Sequence, residues 1–293
     1  MPTPISRSNA SNTAAHRASE GHLIVCAAFD GAMSLDITGP IQVFATANEV
    51  CAKQGLKPWY RTQLAATQGE VIHTSSGLRL LADARLQTLK PPRNCTVLIP
   101  GGDGVDQARL DGALLDWLRR TEPKVLRMGS VCSGALVLAS AGLLDGLQAT
   151  THWCRIDELR ARHPDIAVDS DRLHTFDADH IVYRHLFTSA GVTAGIDLAL
   201  ALVEADLGRA TALAVARQLV MFMRRPGGQA QFSPLLSAVT TQAPRLEKLL
   251  DWIPGQIGSD LGVEQLAAQA CLPPRTLARV FQKELGTTPA KYV

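Results

Sequence analysis

Three times along this chain a short apolar run breaks at a turn of small residues and then resumes as a helix-like run. The stretches are CTVLIPGGDG (95–104), KVLRMGSVCSGALVLASAGLL (124–144) and HLFTSAGVTAGIDLALALVEADLG (185–208). A strand that is apolar at every position has no face to give to water, so it must be covered on both sides. A helix-length segment after each strand excludes tight hairpins and favours parallel pairing. The repeated pattern therefore predicts an α/β domain over 21–208, a parallel sheet between two layers of helices.

Other segments fit this frame. LIVCA within 22–30 reads as a buried strand and RTQLAAT (61–67) as another. Ile41, Phe44, Ala45 and Asn48 recur at helical spacing, with Pro40 suiting a first turn and Gly55 a stop. Residues 106–120 read as one amphipathic helix with Leu110, Leu114, Leu115 and Leu118 on its inner face. A further helix is expected over 211–225, ended by Pro226-Gly227-Gly228. From 235 onward the texture is helical, with runs at 235–253, 261–270 and 275–285. The resulting partition is a leader over 1–20, the α/β domain over 21–208, a helix and linker over 209–234, and a small helical domain over 235–293.

At 293 residues, 46% hydrophobic and 19% charged, the chain has material for two cores. Its six cysteines are widely spaced without a CxxC pair, which argues against a disulfide framework or a zinc knuckle. Cys26 and Cys95 fall in strands and read as buried apolar residues. No metal or cofactor is expected. The leader is polar, is expected to be disordered and lacks the apolar core of a secretory signal. No run approaches the roughly 18 apolar residues of a membrane span, so the expected location is the cytoplasm. From Arg209 onward ten Lys/Arg face five Asp/Glu, an excess that suits a polyanion.

That excess has a structural context. In LGVEQLAAQACLPPRTLARVFQKELGTTPAKYV (261–293), two short helices flank a tight connection at Ala270-Cys271-Leu272. Leu277, Val280 and Phe281 form an apolar face on the second, while Arg275, Thr276, Arg279, Gln282 and Lys283 lie elsewhere. Such a unit can place its second helix in the major groove and touch phosphates with flanking cations. The alternative is a plain helical hairpin with a wet basic face. The segment resembles the DNA-binding domain of AraC/XylS-type regulators, most clearly in PRTLAR and GTTPAKYV. Cys271 replaces the usual turn glycine, and Val280 stands where such helices are often basic. The resemblance implies a second helix-turn-helix unit beyond a linking helix that should begin near Val293. On that expectation the chain is truncated and binds DNA poorly as it stands.

The turn GSVCSGA (129–135) puts Cys132 where a strand meets a helix, the usual setting of an exposed nucleophile. Backbone N–H groups of Gly101, Gly102, Cys132 and Ser133 could cradle an oxygen. Asp36 could cap the helix that follows it. LDITGPIQVF (35–44), IPGGDG (99–104), GSVCSGALVLASAGLLDGLQATTHW (129–153) and FTSAGVTAGIDLAL (187–200) together resemble the DJ-1/PfpI superfamily. That resemblance implies an acid beside the cysteine, a place Asp36 could take. Joined to the C-terminal segment, they resemble the GlxA-like subgroup of AraC-family regulators. Peptidase-like members carry a histidine after the elbow cysteine; Ser133 stands there, leaving His152 as the substitute base or a pocket-ordering group. The resemblance implies a homodimeric transcriptional regulator whose α/β domain senses a small nitrogenous or amino-acid-like metabolite. Asp36, Gly101, Gly102, Cys132, Ser133 and His152 would line its ligand site, with no catalytic residue required. The alternative is a cysteine-dependent hydratase or hydrolase using Cys132, Asp36 and His152.

Overall fold

The computed structural model describes residues 21–223, 244–256 and 261–293. The leader, the expected linker over 226–234 and the 235–243 part of the run read as helical over 235–253 lie outside the described residues. The chain divides into two compact units, 1–228 and 229–293.

In the first unit six parallel strands form one sheet. In chain order they are β1 (His22–Ala28), β2 (Tyr60–Ala66), β5 (Ala84–Arg85), β6 (Cys95–Ile99), β7 (Arg127–Ser130) and β10 (Leu186–Thr188), in spatial order β10-β7-β6-β1-β2-β5. The intervening numbers belong to two small ribbons, β3 (Val71–His73) with β4 (Arg79–Leu81) and β8 (Gln148–Ala149) with β9 (Ala167–Val168). Each sheet face buries alternate side chains, as the strand pleat requires. Val25, Val97 and Ile99 meet Leu114, Leu118, Leu136 and Leu138 on one face. Ile24 and Leu98 meet Val43, Phe44, Leu198 and Val215 on the other. Double coverage explains why the central strands β1 and β6 read as nearly unbroken apolar runs.

Helix α1 spans Ser34–Lys53, so Pro40 lies inside the helix and not in its first turn. The early start follows from buried Ile37, which extends the Ile41 and Phe44 stripe back by one turn. Pro40 forgoes only the bond that would reach back to residue 36, beside the helix start. The run at 106–120 is two helices, α2 (Val105–Ala108) and α3 (Gly112–Thr121). Asp111 divides them: its carboxylate accepts the Ala113 and Leu114 N–H groups as an N-cap. Leu110, outside α3, is exposed and takes no part in the inner face.

After β7 come α4 (Ala135–Ser140) and α5 (Ile156–Arg162), then α6 (Thr193–Leu207) and α7 (Arg209–Gln218) after β10. Helix α7 ends seven residues short of the 211–225 reading and packs on α1 and α6. Arg127 of β7 grips Asp206 of α6 with two bonds of 2.6 and 2.9 Å, and Tyr60 donates to the same carboxylate at 2.9 Å. This largely buried clamp fixes the two elements that carry the site. Among the described residues no helix is long and apolar enough to cross a membrane.

The second unit comprises α8 (Pro244–Trp252), α9 (Val263–Gln269), α10 (Pro274–Leu285) and α11 (Pro289–Tyr292). Its core joins Leu249, Leu266, Leu277, Phe281 and Leu285. Pro274 starts α10, where its missing N–H costs nothing, and Gly286 ends it in the left-handed conformation at φ 66°. Cys271, in the turn between α9 and α10, has φ 52°. Left-handed backbone disfavours a residue with a β-carbon by about 1–2 kcal/mol. Cys271→Gly, which relieves this strain but loosens the unfolded chain, is expected to stabilise the unit by about 0.5–1 kcal/mol in urea unfolding.

Candidate functional site

The elbow forms where β7 runs out. Residues 132–134 make a single 3-10 turn that feeds α4, and Cys132 sits at φ 59°. A strained residue persists only where its surroundings hold it. Here the Val131 N–H donates to Ile99 O at 2.9 Å and the Cys132 N–H to Ser189 O at 3.1 Å. Thr151 Oγ1 donates to Cys132 O at 2.9 Å. The 101–102 loop lies against the same turn: a β-carbon on Gly101 would come within 2.5 Å of Ser133 N and Oγ.

The elbow is present, but its sulfur is covered. Cys132 is only 5% exposed, because the 101–102 loop and the 189–192 segment close over the turn. Nor are the backbone donors open. Gly101 N–H donates to Asp36 Oδ2 at 3.0 Å and Gly102 N–H to Ser133 Oγ at 3.0 Å. Cys132 N–H is spent on the 189–190 carbonyls, and Ser133 N–H bonds the Cys132 sulfur. The oxygen cradle read from the sequence is therefore occupied by the protein's own acceptors.

Asp36 is the hub. It lies in the first turn of α1 and does not cap it; Met33 precedes the helix and makes no side-chain cap bond. The carboxylate, 1% exposed, accepts Gly101 N–H through Oδ2 and Val192 N–H through Oδ1 at 3.2 Å, and it bonds the Cys132 thiol. Burial pushes its pKa up to about 6, against the pull of these donors. Burial, then the Asp36 charge, raise the Cys132 thiol far above its usual range, while Ser133 pulls it down. At neutral pH the thiol thus keeps its proton and donates it to Asp36. This is the reverse of an activated thiolate.

His152 joins at one remove. A β-carbon on Gly191 would lie 2.0 Å from His152 Cδ2, so the imidazole fills the space that this glycine leaves. The next residue, Val192, supplies the N–H to Asp36 and has φ 55°. The His152 ring also packs on Trp153, centroids 5.4 Å apart, and burial lowers its pKa. Asp36, Gly101, Cys132 and Ser133 thus meet directly, Gly102 through Ser133, and His152 through Gly191. Thr151, Ser189, Gly191 and Val192 were missed from the sequence; the small residues of SAGVTAG (189–195) were the only signal for the last three. Among the described residues no three His, Cys, Asp or Glu side chains group as a metal site.

In the second unit Arg275, Arg279, Gln282 and Lys283 are exposed on α10 and Thr276 is half-buried, opposite buried Leu277 and Phe281. Lys283 lies 3.4 Å from Glu284. The five candidate DNA-contacting residues therefore share the helix that a helix-turn-helix unit presents.

Comparison with known proteins fits both units. Residues 22–205 match the DJ-1/PfpI family model. The HTH-type transcriptional regulator GbdR of Pseudomonas aeruginosa is 27% identical over 88% of this chain. This chain spans 66% of that regulator's length. The isonitrile hydratase of Pseudomonas putida is 34% identical over 65% of this chain and 75% of its own. A crystal structure of a ThiJ/PfpI family protein from Pseudomonas syringae shares the fold, with a TM-score of 0.59 at 22% identity, covering 92% of this chain and 98% of that one. The chain belongs to the DJ-1/PfpI family, with its DJ-1/PfpI domain joined to an AraC/XylS-type helix-turn-helix region as in the GbdR-like regulators.

Proposed function

We propose that the chain is a ligand-responsive transcriptional regulator. Its α/β domain takes a small nitrogenous or amino-acid-like metabolite beside Asp36, Gly101, Gly102, Cys132, Ser133 and His152, and its helical unit reads DNA through Arg275, Thr276, Arg279, Gln282 and Lys283. The observation that carries this reading is the state of the elbow. Its thiol is buried and protonated, and its backbone donors are already bonded within the protein. A nucleophile needs a base, and a developing oxyanion needs open donors. A binding wall needs neither, and Asp36 shapes that wall by holding Gly101 and Val192 in place. Homodimerisation, as proposed from the family resemblance, would pair two reading heads on one DNA and strengthen binding through tethering.

Calorimetric titration with a panel of amines and amino acids tests the sensing half. At least one compound is expected to bind the wild-type chain, and Asp36→Ala to weaken it tenfold or more. Binding by no member of the panel would undermine the reading. The hydratase alternative draws on the Asp36–Cys132 contact, an acid beside a thiol. It requires a compound consumed by wild type and untouched by Cys132→Ala.

A further inference from the structure

Cys154 and Cys271 are exposed, whereas Cys26, Cys51, Cys95 and Cys132 are buried. Cys154 does not stand alone. Its sulfur lies 2.9 Å from His152 Nδ1. The Cys154 backbone N–H also points at that nitrogen, at 3.4 Å. A backbone N–H can only donate, so Nδ1 is the unprotonated nitrogen of the ring. The thiol proton is therefore directed at a lone pair. Burial, seconded by the Arg155 charge, lowers the imidazole pKa, which favours the unprotonated ring. Partial burial pushes the Cys154 thiol above its usual range, opposed by the charge of Arg155, which Asp106 and Glu158 hold in place; reactivity therefore rests on the base at Nδ1 and not on a lowered thiol pKa.

We propose that Cys154, not the elbow cysteine, is the reactive thiol of this chain: a His152-assisted modification site that takes small electrophiles and hydroperoxides. With an alkyl halide the sulfur forms a bond to carbon, halide leaves, and the thiol proton passes to His152 Nδ1. With a hydroperoxide the O–O bond breaks as S–O forms; the sulfur is oxidised by two electrons to sulfenic acid and the peroxide is reduced to water or alcohol. Either product replaces the S–H donor that faces Nδ1 with a bulkier group. His152 rests on Gly191, and the neighbouring Val192 N–H holds Asp36. Modification thus acts on the wall of the elbow from outside. The inference rests on the His152–Cys154 geometry and stands apart from any effector in the cleft.

The test is site-resolved labelling. The intact chain is treated with limiting iodoacetamide or with hydrogen peroxide followed by a sulfenic-acid trap, and cysteine peptides are quantified by mass spectrometry. Cys154 is expected to react about tenfold or more faster than Cys271, its exposed reference. His152→Asn keeps an acceptor but removes the base, and should bring Cys154 to within about twofold of Cys271. Equal rates for the two cysteines in wild type would overturn the proposal without recourse to any variant. So would a Cys154 advantage that His152→Asn leaves intact.

Discussion

Gly101→Ala should cost about 3 kcal/mol of stability in chemical unfolding of the α/β domain. The added methyl would meet Ser133 N and Oγ at 2.5 Å and Cys132 Cβ at 2.8 Å. Two of these three are anchored atoms at a turn already held at positive φ, so little can move aside. Relief would require the 101–102 loop to lift, and that breaks the Gly101 bond to Asp36 and the Gly102 bond to Ser133. The variant should therefore also expose Cys132 to alkylation. Gly112→Ala is the control: it opens α3, its β-carbon would meet nothing within 4 Å, and its expected effect is neutral to mildly stabilising.

Asp36→Asn should act on both the pH dependence of stability and the elbow thiol. The folded pKa of about 6 lies above the ordinary aspartate value of 3.8 that holds in the unfolded chain. Between these values the folded chain holds a proton that the unfolded chain releases. The stability this brings is complete below pH 3.8 and is lost as pH rises through about 6. Relative to Asp36→Asn, wild type should lose on the order of 3 kcal/mol across that window, read from paired unfolding curves. A constant offset of opposite sign is also expected, since an amide accepts only one of the Gly101 and Val192 N–H groups. Removing the charge should lower the Cys132 pKa, because Asp36 raises it now. Each unit of decrease speeds alkylation about three- to fourfold, as a larger thiolate fraction outweighs lower nucleophilicity. An unchanged Cys132 rate would mean that the carboxylate does not control the thiol.

The sheet was legible because double coverage leaves a local signature, the unbroken apolar run. The elbow was legible for a similar reason, since small residues flank Cys132 along the chain itself. The division at Asp111 also had a local signal: Asp-Gly before Ala-Leu-Leu is a helix start, and continuous leucine spacing masked it. The state of the site was not legible. Asp36 meets partners 65 and 156 residues away, and only the closed sheet brings them together. No spacing rule reports that Gly101, Gly102 and Cys132 N–H groups are already bonded. Val192 at positive φ runs against its own propensity, and tertiary packing alone imposes it. These long-range contacts turn an expected nucleophile into a covered, protonated thiol.

The proposal that the elbow senses a metabolite and the helical unit reads DNA makes one quantitative demand. If an effector changes DNA affinity by some factor, DNA must change effector affinity by the same factor. The most direct test is therefore a pair of titrations at one fixed low salt concentration, which brings weak DNA binding into range: duplex DNA titrated with and without a compound that binds the wild-type chain, and that compound titrated with and without the DNA. The account predicts matching factors of about fivefold or more, both abolished by Asp36→Ala. Saturating effector that leaves DNA affinity unchanged would contradict it.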